Sequence, residues 1–251
     1  MSGRLFLHEL RAQQRLYWKN PEAAFFTFAL PIIFLVLLGA VYGDEEVEGV
    51  QGATFILAGM IGYGVTASAF AGLAITTVIR RESGVLKRVR GTPMPTRVYM
   101  SAVMANTLLV IVVQITTQVM IARFAFDAAW PASPASFIAE LLLGVAAFAA
   151  LGLALTAIVK SAEGSSAVVN AIYLPMTFVS GSFFSADSMP AFLEAISDVL
   201  PLTFLLRLLR DSFVEGGTIG ANWGDAVALA LWGLAGIAIA ARTFRWEPRD
   251  T

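Results

Sequence analysis

Residues 53–95 read ATFILAGMIGYGVTASAFAGLAITTVIRRESGVLKRVRGTPMP, a long apolar run that changes abruptly into a basic segment. A helix needs about 20 mainly apolar residues to cross a hydrocarbon core of roughly 30 Å, and residues 53–79 exceed that length. Residues 80–95 then carry five cations and one acid before the next apolar run begins. The stretch predicts a membrane-spanning helix followed by a charged loop at the membrane surface.

The composition of the whole chain favours the same class of protein. Of its 251 residues, 57% are hydrophobic and 14% charged, and the mean hydropathy is +0.74. Soluble domains carry about 45–50% apolar and about 25% charged residues. The net charge of −1 gives no indication of a nucleic-acid partner, and the absence of cysteine excludes disulfides, thiol catalysis and thiolate metal sites.

Six apolar stretches are long enough to cross a bilayer as helices. Barrel strands would be only about ten residues long and would alternate with a polar face. In the apolar centres of the stretches we find no Asp, Glu, Lys, Arg or His. The predicted fold class is an all-α membrane protein with six transmembrane helices, at residues 23–42, 53–79, 98–122, 137–159, 165–186 and 223–241.

The distribution of cations predicts the orientation, because Lys and Arg are enriched in cytoplasmic loops. One side of the predicted topology holds all but three of the 17 cations. They are Arg4, Arg11, Arg15, Lys19, Arg80, Arg81, Lys87, Arg88, Arg90, Arg97, Lys160, Arg242, Arg245 and Arg249. The other side holds Arg123, Arg207 and Arg210. We expect both termini in the cytoplasm, no cleavable signal peptide, and a first span that acts as a signal anchor.

Residues 1–22 are predicted to form a cytoplasmic interfacial helix. Arg4, Arg11, Arg15 and Lys19, together with His8, recur at steps of three or four and therefore share one side of a helix. Apolar side chains occupy the other side, which is typical of a helix lying in the headgroup region. An ordinary solvated charged face is the alternative, and the single histidine has no evident second ligand for a metal role.

Two loops are predicted to carry helices outside the spans. In the loop of residues 80–97, Val85, Leu86 and Val89 form a short apolar stripe among the cations. This order is typical of a docking helix, whereas a loop that only orients the chain needs no stripe. The external loop of residues 187–222 is too apolar to be solvated and predicts re-entrant or interfacial helices, the first beginning at Ser188 to Pro190.

The sequence shows no energy source of its own. Ion and proton transporters normally keep ionisable residues within the membrane, and proteins that use nucleotides often carry a G-x-x-x-x-G-K-[ST] phosphate loop. We find neither pattern in the chain. A second protein would therefore have to act on the membrane part from the cytosol, and the basic loop is the best candidate for the contact.

Two segments resemble the ABC-2 type permeases of ATP-binding-cassette exporters, in particular the single-domain permeases of the daunorubicin-resistance type. ESGVLKRVRGTPMPTRVYMSAVM follows the second span, and LPMTFVSGSFFSADSMPAFLEAISDVLPLTFLLRLLR covers the fifth span and the loop after it. The acid, glycine and proline of the family's first segment correspond to Glu82, Gly84 and Pro93. The second segment matches at Ser180, Gly181, Phe183, Phe184, Met189, Pro190, Leu200, Pro201 and Arg210.

The resemblance implies a half-transporter whose six-helix domain, residues 23–251, exports or flips a drug, lipid or glycolipid from the cytoplasm or inner leaflet. It implies a homodimer, or a heterodimer with a related permease, in the bacterial plasma membrane. The chain itself would bind no cofactor, since ATP and Mg²⁺ would bind to separate nucleotide-binding subunits. The residues implied to contact those subunits are Arg81, Glu82, Gly84, Leu86, Lys87, Arg88, Arg90 and Pro93, beside the interfacial helix.

Small, kinked and aromatic positions predict a substrate pathway or an interface between two copies. They are Pro31, Gly39, Gly43, Tyr63, Asn170, Tyr173, Met176, Phe178, Phe183 and Phe184. The second span also has a small-residue side, formed by Gly59, Gly62, Gly64, Ala67 and Gly72. Packing within the chain is the alternative for all of these. The polar residues of the third span, Thr107, Gln114, Thr117 and Gln118, are predicted to hydrogen-bond to neighbouring helices.

Other classes of function stay open. A membrane-embedded enzyme that modifies lipids would need a nucleophile, a carboxylate pair or a metal cluster, and none is visible in the sequence. A membrane assembly scaffold would need none of these groups. A passive channel would be expected to have a lining ring of charge, which the chain lacks.

Overall fold

The computed structural model describes residues 2–47, 49–184, 190–214 and 217–248. Helix α1 covers Ser2–Trp18 and α2 covers Pro21–Tyr42. Two short strands follow, β1 at Glu46–Val47 and β2 at Val50–Gln51, and they pair antiparallel. This small hairpin is a departure from the predicted all-α fold. The predictions for Ser188, for Met189 and for the end of the fifth span at residues 185–186 lie outside the described residues, as does Arg249.

The central helical run changes its geometry halfway along. Helix α3 covers Gly52–Val65, a π-helical segment covers Thr66–Gly72, and α4 covers Leu73–Glu82. A short turn leads to α5 at Val85–Arg90, and α6 then covers Thr96–Phe126. π-helical turns are rare and frequently lie at functional sites, so the segment Thr66–Gly72 is a candidate part of such a site.

The structure describes five further helices in the second half of the chain. They are α7 at Pro134–Leu155, α8 at Ala162–Val179, α9 at Ala191–Ser197, α10 at Pro201–Asp211 and α11 at Trp223–Thr243. Helices α9 and α10 lie within the predicted external loop, and their re-entrant or interfacial placement stays a prediction.

Four helical runs in the described part of the chain are long and apolar enough to cross a membrane. They are Gly52–Glu82, Thr96–Phe126, Pro134–Leu155 and Trp223–Thr243. Within α2, Thr27–Tyr42 forms a shorter apolar helix, and α8 is only 18 residues long with a polar beginning. The helical membrane class is thus supported, whereas the count of six spans stays a prediction.

Helix α3 lies at the centre of the protein, with every residue buried. The run from α3 to α4 packs against α2, α6, α7, α8 and α10. Glycines allow this close approach: a Cβ on Gly59 would lie 2.0 Å from the carbonyl oxygen of Ser182, and one on Gly62 would lie 2.5 Å from Leu206. At Gly59 and Gly62, the small-residue side of the second predicted span therefore serves packing within the chain.

Gly39 and Gly43 also pack internally. A Cβ on Gly39 would lie 3.2 Å from the ring of Phe126 in α6, and one on Gly43 would lie 2.3 Å from the carbonyl oxygen of Gly39. The Gly-x-x-x-Gly spacing, predicted to lie on a substrate pathway or between two copies, has this structural role within one chain.

The polar residues of α6 only partly behave as predicted. Gln118 donates to the carbonyl oxygen of Met60 at 3.4 Å, and Gln114 accepts from the Ser68 hydroxyl at 3.5 Å, so both reach the central run. The prediction for Thr107 and Thr117 is wrong, because their hydroxyls donate to carbonyl oxygens one turn earlier in α6 itself.

Helix α10 buries its leucines in the protein rather than in lipid. It packs against α3, α7 and α11. The side chain of Leu206 lies against Gly62, where a Cβ would clash with it. The side chain of Leu205 lies against Gly144 in the same way. Gly62 and Gly144 lie ten residues after the first residue of α3 and of α7, respectively. Helix α10 therefore contacts these two helices about 15 Å from their first residues. The neighbouring α9 differs, because it exposes Phe192 and Ile196, and the turn after it exposes Val199.

Helix α11 is attached to α7 through small residues. A Cβ on Gly233 would lie 3.1 Å from the Cα of Ala147, and one on Gly236 would lie 2.8 Å from the backbone of Ala150 and Leu151. The remaining surface of α11 exposes large apolar side chains, as expected for a helix facing lipid: Val227, Leu231, Trp232, Leu234, Ile237 and Ile239.

Glu140 shows that the interpretation of the spans as free of ionisable residues was wrong. It lies in the second turn of α7, within the predicted fourth span, and is 0% exposed. Neither carboxylate oxygen has a hydrogen-bond partner among the residues that the structure describes. Asp211 adds a negative charge nearby, and the hydroxyl of Ser212 donates to the Leu209 carbonyl oxygen at 2.8 Å. A carboxylate in such surroundings destabilises the folded protein.

Replacing Glu140 by methionine should stabilise the protein, because the side chain keeps its length while the buried carboxylate is removed. We expect the free energy of unfolding to rise by about 1–4 kcal/mol. The measurement is the Tm of the purified protein in detergent micelles. Glu45→Gln, which alters an exposed acid at the same end of the bundle, should leave the Tm nearly unchanged. A lower Tm for Glu140→Met would contradict this account.

Candidate functional site

The basic loop lies at the end of the helical bundle where α1 and the segment after α11 also lie. Arg80, at the end of α4, donates to the side-chain oxygen of Gln13 in α1 at 2.6 Å and to the hydroxyl of Tyr99 at 3.1 Å. The Tyr99 ring is 6.3 Å from that of Trp246, centroid to centroid. The two ends of the described chain therefore lie on the same side as the loop.

Gly84 makes the turn between α4 and α5. Its φ of 71° lies in the left-handed region, where glycine has no Cβ to clash with the backbone. The preceding Ser83 closes the end of α4, since its hydroxyl donates to the Ile79 carbonyl oxygen at 2.7 Å. A glycine is needed here for the chain to turn and begin α5.

Arg81 anchors the basic loop from inside. Its guanidinium donates to the carbonyl oxygens of Thr156 at 2.9 Å and Val159 at 2.7 Å, and to the carboxylate of Glu82 at 2.6 Å. The residue is only 2% exposed. These carbonyls follow the end of α7, where backbone acceptors lack partners within the helix. Arg81 thus caps α7 and ties it to the loop.

Leu86 is the apolar counterpart of this anchor. It is 1% exposed and belongs to the hydrophobic core of the chain. The sequence suggested that Arg81 and Leu86 would contact a partner, but in this structure both side chains are directed into the protein. Their role here is to hold α5 in place.

The outer side of the loop is strongly basic. Lys87, Arg88 and Arg90 of α5 are exposed, as is Arg97 at the start of α6. We call these four side chains the basic surface. Pro93 is exposed beside them, while Glu82 and Gly84 are half-buried.

Helix α1 adds a second row of cations at the same end. The cations of the row are all exposed, Arg4, Arg11, Arg15 and Lys19, and so is His8, which shares their side. The side opposite them, which the sequence assigned to lipid, packs in part against α6, with Phe6, Leu10 and Tyr17 half-buried. Leu5 and Leu16 stay exposed. The helix is therefore attached to the bundle, and its contact with a membrane stays a prediction.

Aromatic residues of the predicted pathway form a cluster inside the chain. Phe183 is its centre, with ring centroids 5.1 Å from Phe34, 5.8 Å from Tyr63 and 5.0 Å from Phe178. Tyr63 also lies 5.8 Å from Tyr173. Except for Phe34 and Phe178, these rings are buried, as are Pro31 and Met176. Their observed contacts are packing within one chain.

Three residues of that set lie toward the outside, and one of them, Phe178, also contacts the cluster. Phe178 and Phe184 are each 51% exposed, and Asn170 is half-buried with its amide donating to the Ser166 hydroxyl at 3.1 Å. Together with Ile172 and Leu174 they form an apolar outer face on α8 and the turn after it. The structure thus separates the predicted pathway into a buried cluster and an exposed face.

Arg210 connects two parts of the segment of residues 174–210, the second of the two segments that resemble the permease family. Its guanidinium donates to the carbonyl oxygen of Gly181, which has a φ of 82°, and lies 3.7 Å from the ring centroid of Phe55. The turn after α8, helix α10 and the central α3 are thereby connected. The arginine near the end of the motif has a structural role in this chain.

A cavity of about 350 Å³ opens between α1, α2, the central run and α6. Many of its lining side chains are polar although they lie within predicted spans: Thr27, Ser68, Thr76, Asn106 and Thr107. Arg80, Gln13 and Tyr17 line its end near the basic loop. Burial raises the pKa of Tyr17, so its phenol stays protonated and able to donate a hydrogen bond.

This cavity was not predicted from the sequence. Hydroxyl and amide side chains in an apolar span are a usable signal, since each needs a partner inside the membrane. Their convergence on one cavity depends on how α1, α4 and α6 pack, which no local pattern specifies.

Removing the side chain of Arg81 should unfold or loosen the basic end of the protein. Arg81→Ala leaves the carbonyls of Thr156 and Val159 without their donor, and we expect a loss of about 3–5 kcal/mol in the free energy of unfolding. The Tm in detergent measures the loss. Arg88→Ala, an exposed cation seven residues on, is the matched control and should change stability by less than about 0.5 kcal/mol. Equal Tm values for the two variants would exclude the anchoring role.

Comparison with known proteins agrees with this architecture. The profile of the family described as ABC-2 type transporter matches residues 4–214, which cover α1 to α10 and most of the chain. A relative is YvfS of Bacillus subtilis (strain 168), provisionally named a transport permease. It is 24% identical over 193 residues, a region covering 76% of this chain and 78% of the relative.

The match includes most of α1, the basic loop and the segment of residues 174–210 within one continuous region. Several helices long and apolar enough to span a bilayer accompany it. The chain is a membrane protein and belongs to the ABC-2 type transporter family.

Proposed function

We propose that this chain is the membrane subunit of an ATP-binding-cassette exporter. A separate ATP-binding subunit would dock on the basic surface of Lys87, Arg88, Arg90 and Arg97. The family implies such a partner in general. The chain would move a hydrophobic or amphiphilic molecule, such as a drug, lipid or glycolipid, out of the cytoplasm or inner leaflet.

The anchored geometry of the basic loop is the observation that carries this proposal. A loop that only orients the chain in the membrane needs cations but no fixed shape. Here α5 is held from inside by Arg81 and Leu86, while its cations face outward. An exposed charged surface on a rigid support is suited to binding a second protein in one orientation.

The hydrogen bonds of Arg81 and Arg80 would transmit a movement of the basic loop to other helices. Arg81 connects α4 to the end of α7, and Arg80 connects α4 to α1. A displacement of α5 would therefore act on three helices at once. We infer that ATP binding on the partner moves the basic surface and that α4, α7 and α1 shift the membrane part.

The alternating access route would lie between two copies of the chain, or between this chain and a related permease. The exposed face of α8, with Phe178 and Phe184, is a candidate for one wall of that route. Family membership supports the pairing only in general, and the identity of the second permease is part of the proposal.

Neutralising the basic surface should uncouple the chain from its ATPase. The triple variant Lys87→Gln, Arg88→Gln, Arg90→Gln should reduce the co-purified ATPase by roughly tenfold, because three charge contacts are lost at an interface. The ATPase is the phosphate-loop subunit that co-purifies with the unaltered chain from native membranes, identified by peptide mass spectrometry. Its bound amount and its substrate-stimulated ATP hydrolysis are measured.

The matched control is the pair Arg242→Gln, Arg245→Gln, which removes exposed cations at the same end outside the loop. We expect ATPase binding to be retained in this control. Equal binding by the triple variant and the unaltered chain would contradict the docking site. Uphill transport by vesicles that contain this chain alone would contradict the proposed function itself.

Single cysteines test the proposed orientation, since the chain has none of its own. Glu45→Cys and Ser83→Cys each place one thiol at an exposed position, at opposite ends of the bundle. A membrane-impermeant maleimide should label the first in intact cells and the second only after the membrane is opened. The reverse pattern would place the basic loop outside and exclude a cytosolic ATPase as its partner.

A further inference from the structure

We propose that the cavity between α1, α2, the central run and α6 binds the phosphate-bearing head group of an amphiphile that enters from the bilayer. The inference rests on the proposed function and deepens it, because it names the chemical class of the molecule that the exporter would take up. The cavity is formed by a single copy of the chain.

The charge of the cavity favours an anion. Arg80 is the positively charged residue among the side chains that line the cavity. Its guanidinium donates hydrogen bonds to two neutral side chains, those of Gln13 and Tyr99. The nearest acid in this network is Glu9, which accepts from the Gln13 amide at 2.7 Å and does not line the cavity. An arginine with neutral partners is well suited to a phosphate, which it contacts through charge-assisted hydrogen bonds.

The wall beyond Arg80 favours a head group with hydroxyl or amide groups. The side-chain carbonyl oxygen of Asn106 is buried without a hydrogen-bond partner among the described residues, so it is available to accept a ligand hydroxyl. Asn106 lies seven residues after Tyr99, or about 10 Å along α6. A phosphate at Arg80 and a hydroxyl at Asn106 would thus fit one polar head group.

The π-helical segment shapes the deep end. Ala67, Ser68 and Gly72 of this segment line the cavity, and Ser68 lies twelve residues before Arg80, about 18 Å along the run. Small side chains at this position leave space that an α-helix with larger residues would fill. Localised π-helical geometry within α-helical runs is frequent at functional sites.

The opening favours a lipid-like molecule over a soluble one. Leu16, at the rim, is 59% exposed, and Thr76 of α4 is exposed on the outer side of the bundle. A volume of about 350 Å³ is at the lower end of ligand pockets and accommodates a head group without acyl chains. The chains would remain in the bilayer, in contact with Leu16.

Titration of the purified chain alone tests the proposal. Native mass spectrometry in maltoside micelles measures binding of dioleoyl phosphatidylglycerol, dioleoyl phosphatidylcholine and inorganic phosphate. We expect one phosphatidylglycerol molecule per chain, bound roughly tenfold more tightly than phosphatidylcholine, because the latter carries no net charge. Inorganic phosphate, which lacks the apolar chains, should bind weakly.

Two variants remove the site in different ways. Arg80→Gln removes the charge, and Ala67→Leu fills the deep end without altering a polar group. Each should weaken phosphatidylglycerol binding by roughly tenfold to a hundredfold. Arg80→Lys should keep most of the preference for the anionic lipid, and Arg242→Gln, an exposed cation at the same end outside the cavity, should bind like the unaltered chain.

Several results would overturn the proposal. They are equal binding of the two lipids, equally tight binding of inorganic phosphate, or unchanged binding by both Arg80→Gln and Ala67→Leu. Cross-linking of an Ala67→Cys chain to a second copy would show that protein fills the cavity instead. Because no ATPase takes part in the titration, its failure would leave the coupling experiment intact, and failure of coupling would leave the lipid result intact.

Discussion

The close packing of one central helix against its neighbours is the constraint on which the rest of the structure depends. Every residue of α3 is buried, and its glycines bring the backbone of the turn after α8 and the leucines of α10 into direct contact. Without water to solvate polar groups, helices in a membrane associate through such close packing. Helix α10, within the loop after the fifth predicted span, is folded into the bundle for this reason, because it fills the space beside α3 and α7.

Charged side chains then connect the ends of this apolar framework. Arg81 caps α7, Arg80 reaches α1, and Arg210 contacts the turn at Gly181. Each arginine satisfies backbone or side-chain acceptors that would otherwise lie buried without a donor. The basic loop therefore contains two kinds of cation: those that hold the helices together and those that face outward. The sequence Arg80 to Arg90 does not distinguish them, since arginines of both kinds occur in one short segment.

The class of fold, most helix positions and the family could be predicted from the chain because apolar length, cation placement and motif spacing are local properties. The roles of individual residues were harder to predict. Gly39 and Gly43 match a pattern for an interface between two copies, which stays a prediction, and within the chain they contact Phe126 and each other. Glycine spacing indicates a close approach but does not identify the partner. Glu140 was overlooked since one acid barely changes the hydropathy of a long apolar run. The cavity depends on side chains from four separate elements, which only tertiary packing brings together.

The attachment of α11 has a consequence for how such a chain can diverge. The family match ends at residue 214, before this helix begins, yet α11 approaches α7 backbone to backbone at Gly233 and Gly236. This backbone-to-backbone contact requires small residues and does not require any particular chemical group. Substitutions that keep these two positions small would preserve the docking, and the lipid-facing remainder of the helix is free to exchange one apolar residue for another. Helix α11 can thus keep its position in the fold while its sequence changes until it no longer matches the family profile.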